Sequence, residues 1–357
     1  MTDVETVGSP WLLVETLAPS LEPTIVADGH RIREWTNLSR AGRALGTAAT
    51  TVAAAAVDAA VAAVPARTPD ADGRVAAGRI VLSEGGCTAI AVPIFCSFGA
   101  VHGVHLWLGA AHQQPPPRRV VAAWDWDSDT ELAHHGPGLE EMAFARAPGD
   151  VRVVRTPPEV FGRMVRFDER MGYTAVIAGT DPSGRWHGEL AIRGDDEIVR
   201  TFQLVVRVHR ADPHLVARDA GAPRTAHITR ALLHEITDVS PPRPDTDLAI
   251  TRAVSRSAVA GVGFVELAMG VVYEWTSAPP PPLERWTTER PVLHPDDRQI
   301  YRATCAAVLA DEHGDATREF VFRVRFADAD WVPVRAELSR LGSERAHGMI
   351  RVRPARG

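Results

Sequence analysis

The feature that most restricts this chain is an alternation of side chains near its end. From Phe320 it runs Phe-Val-Phe-Arg-Val-Arg-Phe, with every even position apolar and Glu319, Arg323 and Arg325 on odd ones. A period of two is the pattern of a strand with one face buried. Ala327-Asp328-Ala329-Asp330 supplies a turn. From Trp331 the alternation resumes, with Val332, Val334, Ala336 and Leu338 inward and Arg335 and Glu337 outward. Upstream, His294-Pro295-Asp296-Asp297 starts a helix over Gln299 to Leu309. Proline suits the first turn, and the aspartates accept from unpaired N–H groups and complement the positive helix end. With a closing strand over Gly348 to Val352, this predicts a helix laid on an antiparallel sheet.

The same organisation occurs about a hundred residues earlier. Pro157-Pro158-Glu159 starts a helix, Trp186, Gly188 and Glu189 lead into a charged turn at Gly194 to Glu197, and an alternating strand follows. Phe202, Leu204, Val206 and Val208 take one face and Gln203, Arg207 and His209 the other. A strand from Arg230 to Val239 closes the set, after a long loop from Ala211 to Thr225. Recurrence within one chain argues for tandem units. Pro241, Pro242 and Pro244 stiffen a linker, Leu248 to Ser257 reads as a helix, and Val262 to Trp275 as two strands around Gly270.

The N-terminal region opens with short strands over Trp11 to Leu17 and Pro23 to Ala27, turned at Asp28-Gly29. An alanine-rich helix from Ala41 to Val64 stops before Pro65, and Pro65 to Gly73 is a loop. Strands follow over Arg79 to Leu82, Thr88 to Phe98, Gly103 to Leu108 and Val120 to Trp126, then a helical connector from Glu140 to Ala145. Pro148-Gly149-Asp150 places a junction near Ala147.

Two of these regions resemble one known family. "HPDDR", a helix, "REFVFRVR" and "WVPVRAEL" are similar to the C-terminal half of a PAS sensor domain, although Asp328-Ala329-Asp330 stands where an Asp-Gly turn is usual. The middle segment is similar to the last three strands of another PAS domain, ending in Glu235-Ile236-Thr237-Asp238 where such modules often end in Asp-Ile-Thr. "AVPIFCSFGAVHGVHLWLG" followed by "RRVVAAWDWD" resembles the central hairpin of a GAF-like domain. The whole resembles an actinobacterial sensor-array protein of α+β class, with three tandem modules, each an antiparallel sheet flanked by helices. They are GAF-like over 1–147, PAS over 148–240 and PAS over 241–357. The resemblance implies a signalling adaptor without an effector domain, binding a small molecule, a signalling protein, or both. It also admits a homodimer paired through helices outside the sheets.

Composition removes other classes. The 39 basic residues are all arginine, so no P-loop, Schiff-base or Ser–Lys lysine exists. A net charge of −6 argues against nucleic acid. Cys87, Cys96 and Cys305 are too scattered for a disulfide framework and read as small buried hydrophobes of a cytoplasmic protein. Ala41 to Val64 lacks the Leu, Ile and Phe of a membrane span.

Smaller motifs carry little. His102 and His105, and the adjacent His134-His135, show no metal-ligand spacing, and no motif implies a cofactor. His234-Glu235 lacks the second histidine of a zinc-protease helix, and Gly261-Val262-Gly263 the third glycine of a dinucleotide loop. Trp124 and Trp126 share a strand face, as a core anchor or a ligand wall. The candidate pocket residues are Phe95, Trp107, Trp124, Phe202, Leu204, Phe264, Leu267, Met269, Phe320 and Phe322, which either fill a core or line a cavity. The rival reading is a hydrolase or lyase using Asp125, Asp127, His134 and His135; without a nucleophile–base–orienter motif, a non-enzyme is expected.

Overall fold

The computed structural model describes residues 10–29, 31–39, 46–64, 78–179, 183–210, 227–256, 258–311, 317–342 and 346–355. The readings for the Pro65 to Gly73 loop, the Ala211 to Thr225 loop and the helix start at Ala41 lie outside these residues.

Strands β1 (Leu12–Glu15), β2 (Thr24–Asp28) and β3 (Arg31–Asn37) precede helix α1 (Thr47–Val61). Strands β4 (Ile80–Glu84), β5 (Cys87–Phe95) and β6 (Val101–Ala110) complete a sheet in the order β3-β2-β1-β6-β5-β4. The middle sheet holds β7 (Val121–Asp127), β8 (Leu132–His135), β9 (Val154–Arg155), β10 (Met164–Arg166), β11 (Arg185–Arg193), β12 (Val199–Arg210) and β13 (His227–Glu235). Their order is β10-β11-β12-β13-β7-β8-β9, with α2 (Leu139–Phe144), α3 (Pro157–Phe161) and α4 (Arg170–Ile177) on the connections. After α5 (Thr246–Ser255), the third sheet contains β14 (Gly261–Glu266), β15 (Val271–Ser277), β16 (Val292–Leu293), β17 (Thr317–Arg325), β18 (Val332–Arg340) and β19 (His347–Pro354). It is ordered β15-β14-β19-β18-β17-β16, with α6 (Arg298–Leu309) before β17.

One plan therefore occurs three times. A hairpin, extended by a third strand in the first two units, is followed by helical chain and a meander of three or four strands, and the last strand returns beside the first: β6 on β1, β13 on β7, β19 on β14. The repeat places the break between sheets elsewhere than expected. β7 pairs along its length with β13, from Asp127 opposite Ile228 to Val121 opposite His234. The sheets thus divide between Ala110 and Val121, where Pro115-Pro116-Pro117 stiffens the passage. The expected junction near Ala147 falls inside the middle unit, just after α2.

Local chemistry explains the helices. Thr156 and Glu159 form a reciprocal capping box at α3, with prolines in its first turn. Asp245 accepts from the Leu248 N–H at the start of α5. Asp297 does not cap α6 as expected. It accepts instead from Arg323 through the backbone N–H and two guanidinium nitrogens at 2.8 to 2.9 Å, tying the helix start to β17. That pairing holds its carboxyl down at about 2.

Packing is asymmetric around the middle sheet. The small face of α1 (Val52, Ala53, Ala56, Val57, Ala60) lies on one side of the first sheet, against Val14, Ala89, Ala91 and Leu106. On its other side, Leu13, Val26, Ile94 and Cys96 meet Ala123, Val205 and Leu232 of the middle sheet. The middle sheet's opposite face carries Trp124, Trp126, Phe202, Leu204 and Val206 under its helices, joined by Val271 and Tyr273 of the third sheet. The third sheet's other face closes over α6 with Tyr301, Cys305, Val308, Phe322 and Val324.

The polar residues of β7, β12 and β13 are therefore buried rather than solvated. Asp125, Gln203, Arg207, Arg230 and His234 all lie under the first sheet. Each finds a partner there or nearby, as buried polar groups require. Arg207 donates to Glu15 Oε1 at 2.9 and 3.2 Å, the Gln203 amide to the Val26 carbonyl at 3.0 Å, and Arg230 to the Leu17 carbonyl at 3.4 Å.

Candidate functional site

A cavity of about 420 Å³ opens where the middle and third units meet. The β7–β8 turn contributes Asp129 and Glu131, the start of α3 Thr156 and Pro157, and the β14–β15 turn Met269 to Val272. The opposite wall is the chain from Trp286 to Leu293 with Arg298, Tyr301 and Arg302 on α6. Glycine is needed at 270. Its φ is +74°, and a Cβ there would sit 2.9 Å from the Tyr301 ring. The Tyr301 hydroxyl donates to the Gly270 carbonyl at 3.0 Å, which fixes the rim of the cavity.

Charge frames the opening. Arg290 Nε donates to Glu131 Oε2 at 2.7 Å, spanning the two units, and Glu131 holds a left-handed backbone at φ 54° to do so. Glu289 accepts from Arg285 at 2.6 and 2.7 Å. Arg298 and Arg302 have no carboxylate partner among the described residues. Deeper in the same junction, the fully buried Glu274 accepts from Arg170 and Arg252, each at 2.8 Å. Arg252 also donates to the Met164 carbonyl at 3.0 Å, so one guanidinium fastens α5 to both units.

Behind the cavity is a small apolar void of about 20 Å³. Pro157, Met269 and Val271 line both spaces; Trp124, Trp126, Phe161 and Tyr273 enclose the inner one. Its polar surroundings are dry. The Tyr273 hydroxyl and His347 Nδ1 are 3.2 Å apart, and Thr174 Oγ1 lies 2.8 Å from His347 Nε2. Glu266 accepts from the Met269 N–H at 2.7 Å, while its other oxygen and both indole N–H groups of Trp124 and Trp126 lack partners among the described residues. Burial pushes the Glu266 carboxyl up to about 7, against the opposing pull of the Met269 and Ala268 N–H groups. A cavity of this size, apolar inside and charged at the mouth, suits an amphipathic small molecule.

Of the ten candidate pocket residues, Met269 lines both spaces and Trp124 the inner one. Phe202 and Leu204 are solid core of the middle unit, with Phe264 packed against that core and over Tyr273. Leu267, Phe320 and Phe322 belong to the third unit's core, and Phe95 to the core under α1. Trp107 is fully buried with Ile90, Val92 and Trp11, away from Trp124. The arginines and the Pro157 wall were missed, since only the packing of two units brings them together.

The rival acid–base set is split between two faces: Asp125, Asp127 and His134 are neighbours on one, and His135, opposite Trp124, is on the other. Asp125 takes His102 Nε2 at 2.6 Å, and Asp127 Oδ1 accepts from the Asp129 N–H at 2.9 Å. His134 lies against Phe98, with ring centres 4.9 Å apart. His135 Nδ1 is 2.7 Å from Glu140, which Arg155 also grips at 2.5 and 3.0 Å. Burial would raise the Glu140 carboxyl, but His135 and Arg155 outweigh it and bring it down to about 2.

Comparison with known proteins bears on the fold. Residues 10–117 match the family model described as "Rv3651-like, N-terminal", a span that coincides with the first sheet. No curated protein matches the chain. The crystal structure of an uncharacterised protein from Mycobacterium tuberculosis superposes with a TM-score of 0.71 at 18% identity, covering 97% of this chain and 96% of that one. The two share a fold along nearly their whole length. A sensory box histidine kinase/response regulator from Burkholderia thailandensis aligns at TM-score 0.26 and 15% identity, over 39% of this chain and 92% of that one. An RNA-binding light-oxygen-voltage receptor aligns at 0.25 and 11%, over 65% and 95%. Scores this low carry no argument. Among the described residues, no helix is long and apolar enough to cross a membrane.

Proposed function

We propose that this protein is a sensor without catalytic activity, a GAF-like unit followed by two PAS units, that binds an amphipathic small molecule between its middle and third units. The observation that carries the reading is the 420 Å³ cavity walled by both units, with Met269, Pro157 and Val271 between it and an inner apolar void. A ligand there would lay its apolar body against Met269, Val271 and Trp286 and meet Arg298 or Arg302 with an anionic group. Because the walls belong to different units, a bound molecule favours one relative arrangement of them, and the Glu131–Arg290 bridge strengthens or breaks with it. A signalling partner would read that change. Two features favour binding over catalysis: Asp125, His134 and His135 are buried or engaged with His102, Phe98 and Glu140, and none of Asp125, Asp127, His134 and His135 lines the cavity. Three free cysteines fit a reducing cytoplasm.

The test is a thermal-shift and tryptophan-fluorescence screen of aromatic and fatty carboxylic acids. A binder should raise the melting temperature and perturb emission, since Trp286 lines the cavity and Trp124 the void. Met269→Trp should fill the space and abolish both responses. No response across the panel, or an undiminished one in M269W, would sink the reading.

A further inference from the structure

Away from the cavity, three donor side chains converge where the first sheet meets the middle one. Cys96 follows the end of β5, His102 is the second residue of β6, and Asp125 lies at the centre of β7. One ligand atom from each (a sulfur, an imidazole nitrogen, a carboxylate oxygen) lies within 4.8 Å of the other two. Their exposures are 3%, 0% and 2%. His102 Nε2 and Asp125 Oδ1 are 2.6 Å apart, yet His102 Nδ1 and Asp125 Oδ2 have no hydrogen-bond partner among the described residues. The hydroxyl of Ser97, next to Cys96, is buried in the same condition. Unpaired polar atoms on a dry pair are costly, and an ion is one of the few things that removes the cost.

We propose that Cys96, His102 and Asp125 bind one zinc-class divalent cation that fastens the first sheet to the middle one. A thiolate, an imidazole and a carboxylate are a donor set that Zn²⁺ accepts and that Mg²⁺ and Ca²⁺, which prefer all-oxygen shells, do not. The three donors leave the fourth position to a water. Two neighbouring basic side chains make contacts of their own: Arg230, opposite Asp125 on β13, donates to the Leu17 carbonyl, and His134, opposite it on β8, packs on Phe98. None of the three donors lines a described cavity, which favours a structural ion over one that turns over substrate. This site is independent of the ligand cavity, and the two stand or fall separately.

The test uses the full chain purified without metal-affinity chromatography. Elemental mass spectrometry should find one zinc per chain. Exchange with Co²⁺ should give a near-ultraviolet thiolate-to-cobalt charge-transfer band. Cys96→Ser and His102→Gln should lose that band, while Cys87→Ser and Cys305→Ser keep it. If the first two variants do not fold, survival of the band in the other two still assigns it to Cys96. Wild-type protein that holds no zinc and gives no band with Co²⁺ overturns the proposal, and the trio is then an ion pair beside a buried thiol. A band lost with Cys87 or Cys305 overturns it equally.

Discussion

The two faces of the middle sheet are equally dry and chemically opposite. One presents Trp124, Trp126, Phe202, Leu204 and Leu233 to helices and to the third unit. The other presents Asp125, Gln203, Arg207, Arg230 and His234 to the first sheet. The aromatic face is held by area removed from water, which tolerates inexact fit and leaves room for a cavity. The polar face adds directed bonds to the apolar contacts of Ala123, Val205 and Leu232, and these bonds fix how the two sheets sit on one another. Burying charge there adds little net stability over a hydrophobic pair, but losing one partner is severe.

The largest expected effect follows from that asymmetry. Glu15→Ala strands the Arg207 guanidinium, removing its two hydrogen bonds along with those from Thr24 Oγ1 and the Leu17 N–H. We expect a loss of about 3–5 kcal/mol in urea unfolding. Phe202→Ala on the other face should cost a similar amount, about 3–5 kcal/mol, through a cavity instead. The double replacement Glu15→Met with Arg207→Leu separates the two mechanisms, because it should recover most of the Glu15→Ala loss. If Glu15→Ala costs less than about 1 kcal/mol, water reaches the polar face and the contrast collapses.

Acid and base should distinguish the faces next. On the polar junction, burial pushes His105 down to about 3 and His234 to about 4. Nearby arginines, Arg118 and Arg119 respectively, add to the shift. Unfolded histidines take up protons near 6.5, so these two contribute stability above that pH that is lost as pH falls toward 4. Glu266 acts in the opposite sense. Its unfolded carboxyl releases its proton near 4.5, but the folded one keeps it to about 7. Its contribution is therefore full below pH 4.5 and disappears as pH rises through 7, on the order of 3 kcal/mol. Glu266→Gln should flatten the alkaline side of the stability–pH curve, and His105→Gln part of the acid side. An alkaline limb unchanged in E266Q would mean that water already solvates that carboxyl.

The smallest effect belongs to the cavity rim. The Glu131–Arg290 pair is partly exposed, so Arg290→Ala should change stability by no more than about 1 kcal/mol while altering the response to any bound acid. A large loss of stability would show that this bridge, rather than Glu274 with its two arginines, holds the third unit in place.

Much of the fold was legible. The alternations at Phe320 to Phe326 and Phe202 to Val208, the helix starts at Pro157 and His294, and the repeated plan all follow from side-chain period and local capping. The boundary between the first two units was not. Trp-Asp-Trp-Asp reads equally well as a closing strand or an opening one, and only its pairing with β13 decides. Period also cannot tell a wet polar face from one covered by another sheet, so Asp125 and Asp127 read as solvated. The candidate site was legible in part. Met269 and Trp124 stood out as large apolar residues on strands and turns, but Arg290, Arg298 and Arg302 look like any surface arginines until the two units meet. Cys96, His102 and Asp125 lacked ligand spacing for the same reason, since their nearness is made by sheet stacking and not by a loop.

Each unit begins and ends on neighbouring central strands, β1 with β6, β7 with β13 and β14 with β19. A segment whose two ends lie side by side can be copied, excised or inserted into another chain without threading through anything. The number of such units in a protein of this build is thus free to change by whole steps, and a duplicate need only find a covering surface for whichever sheet face it exposes.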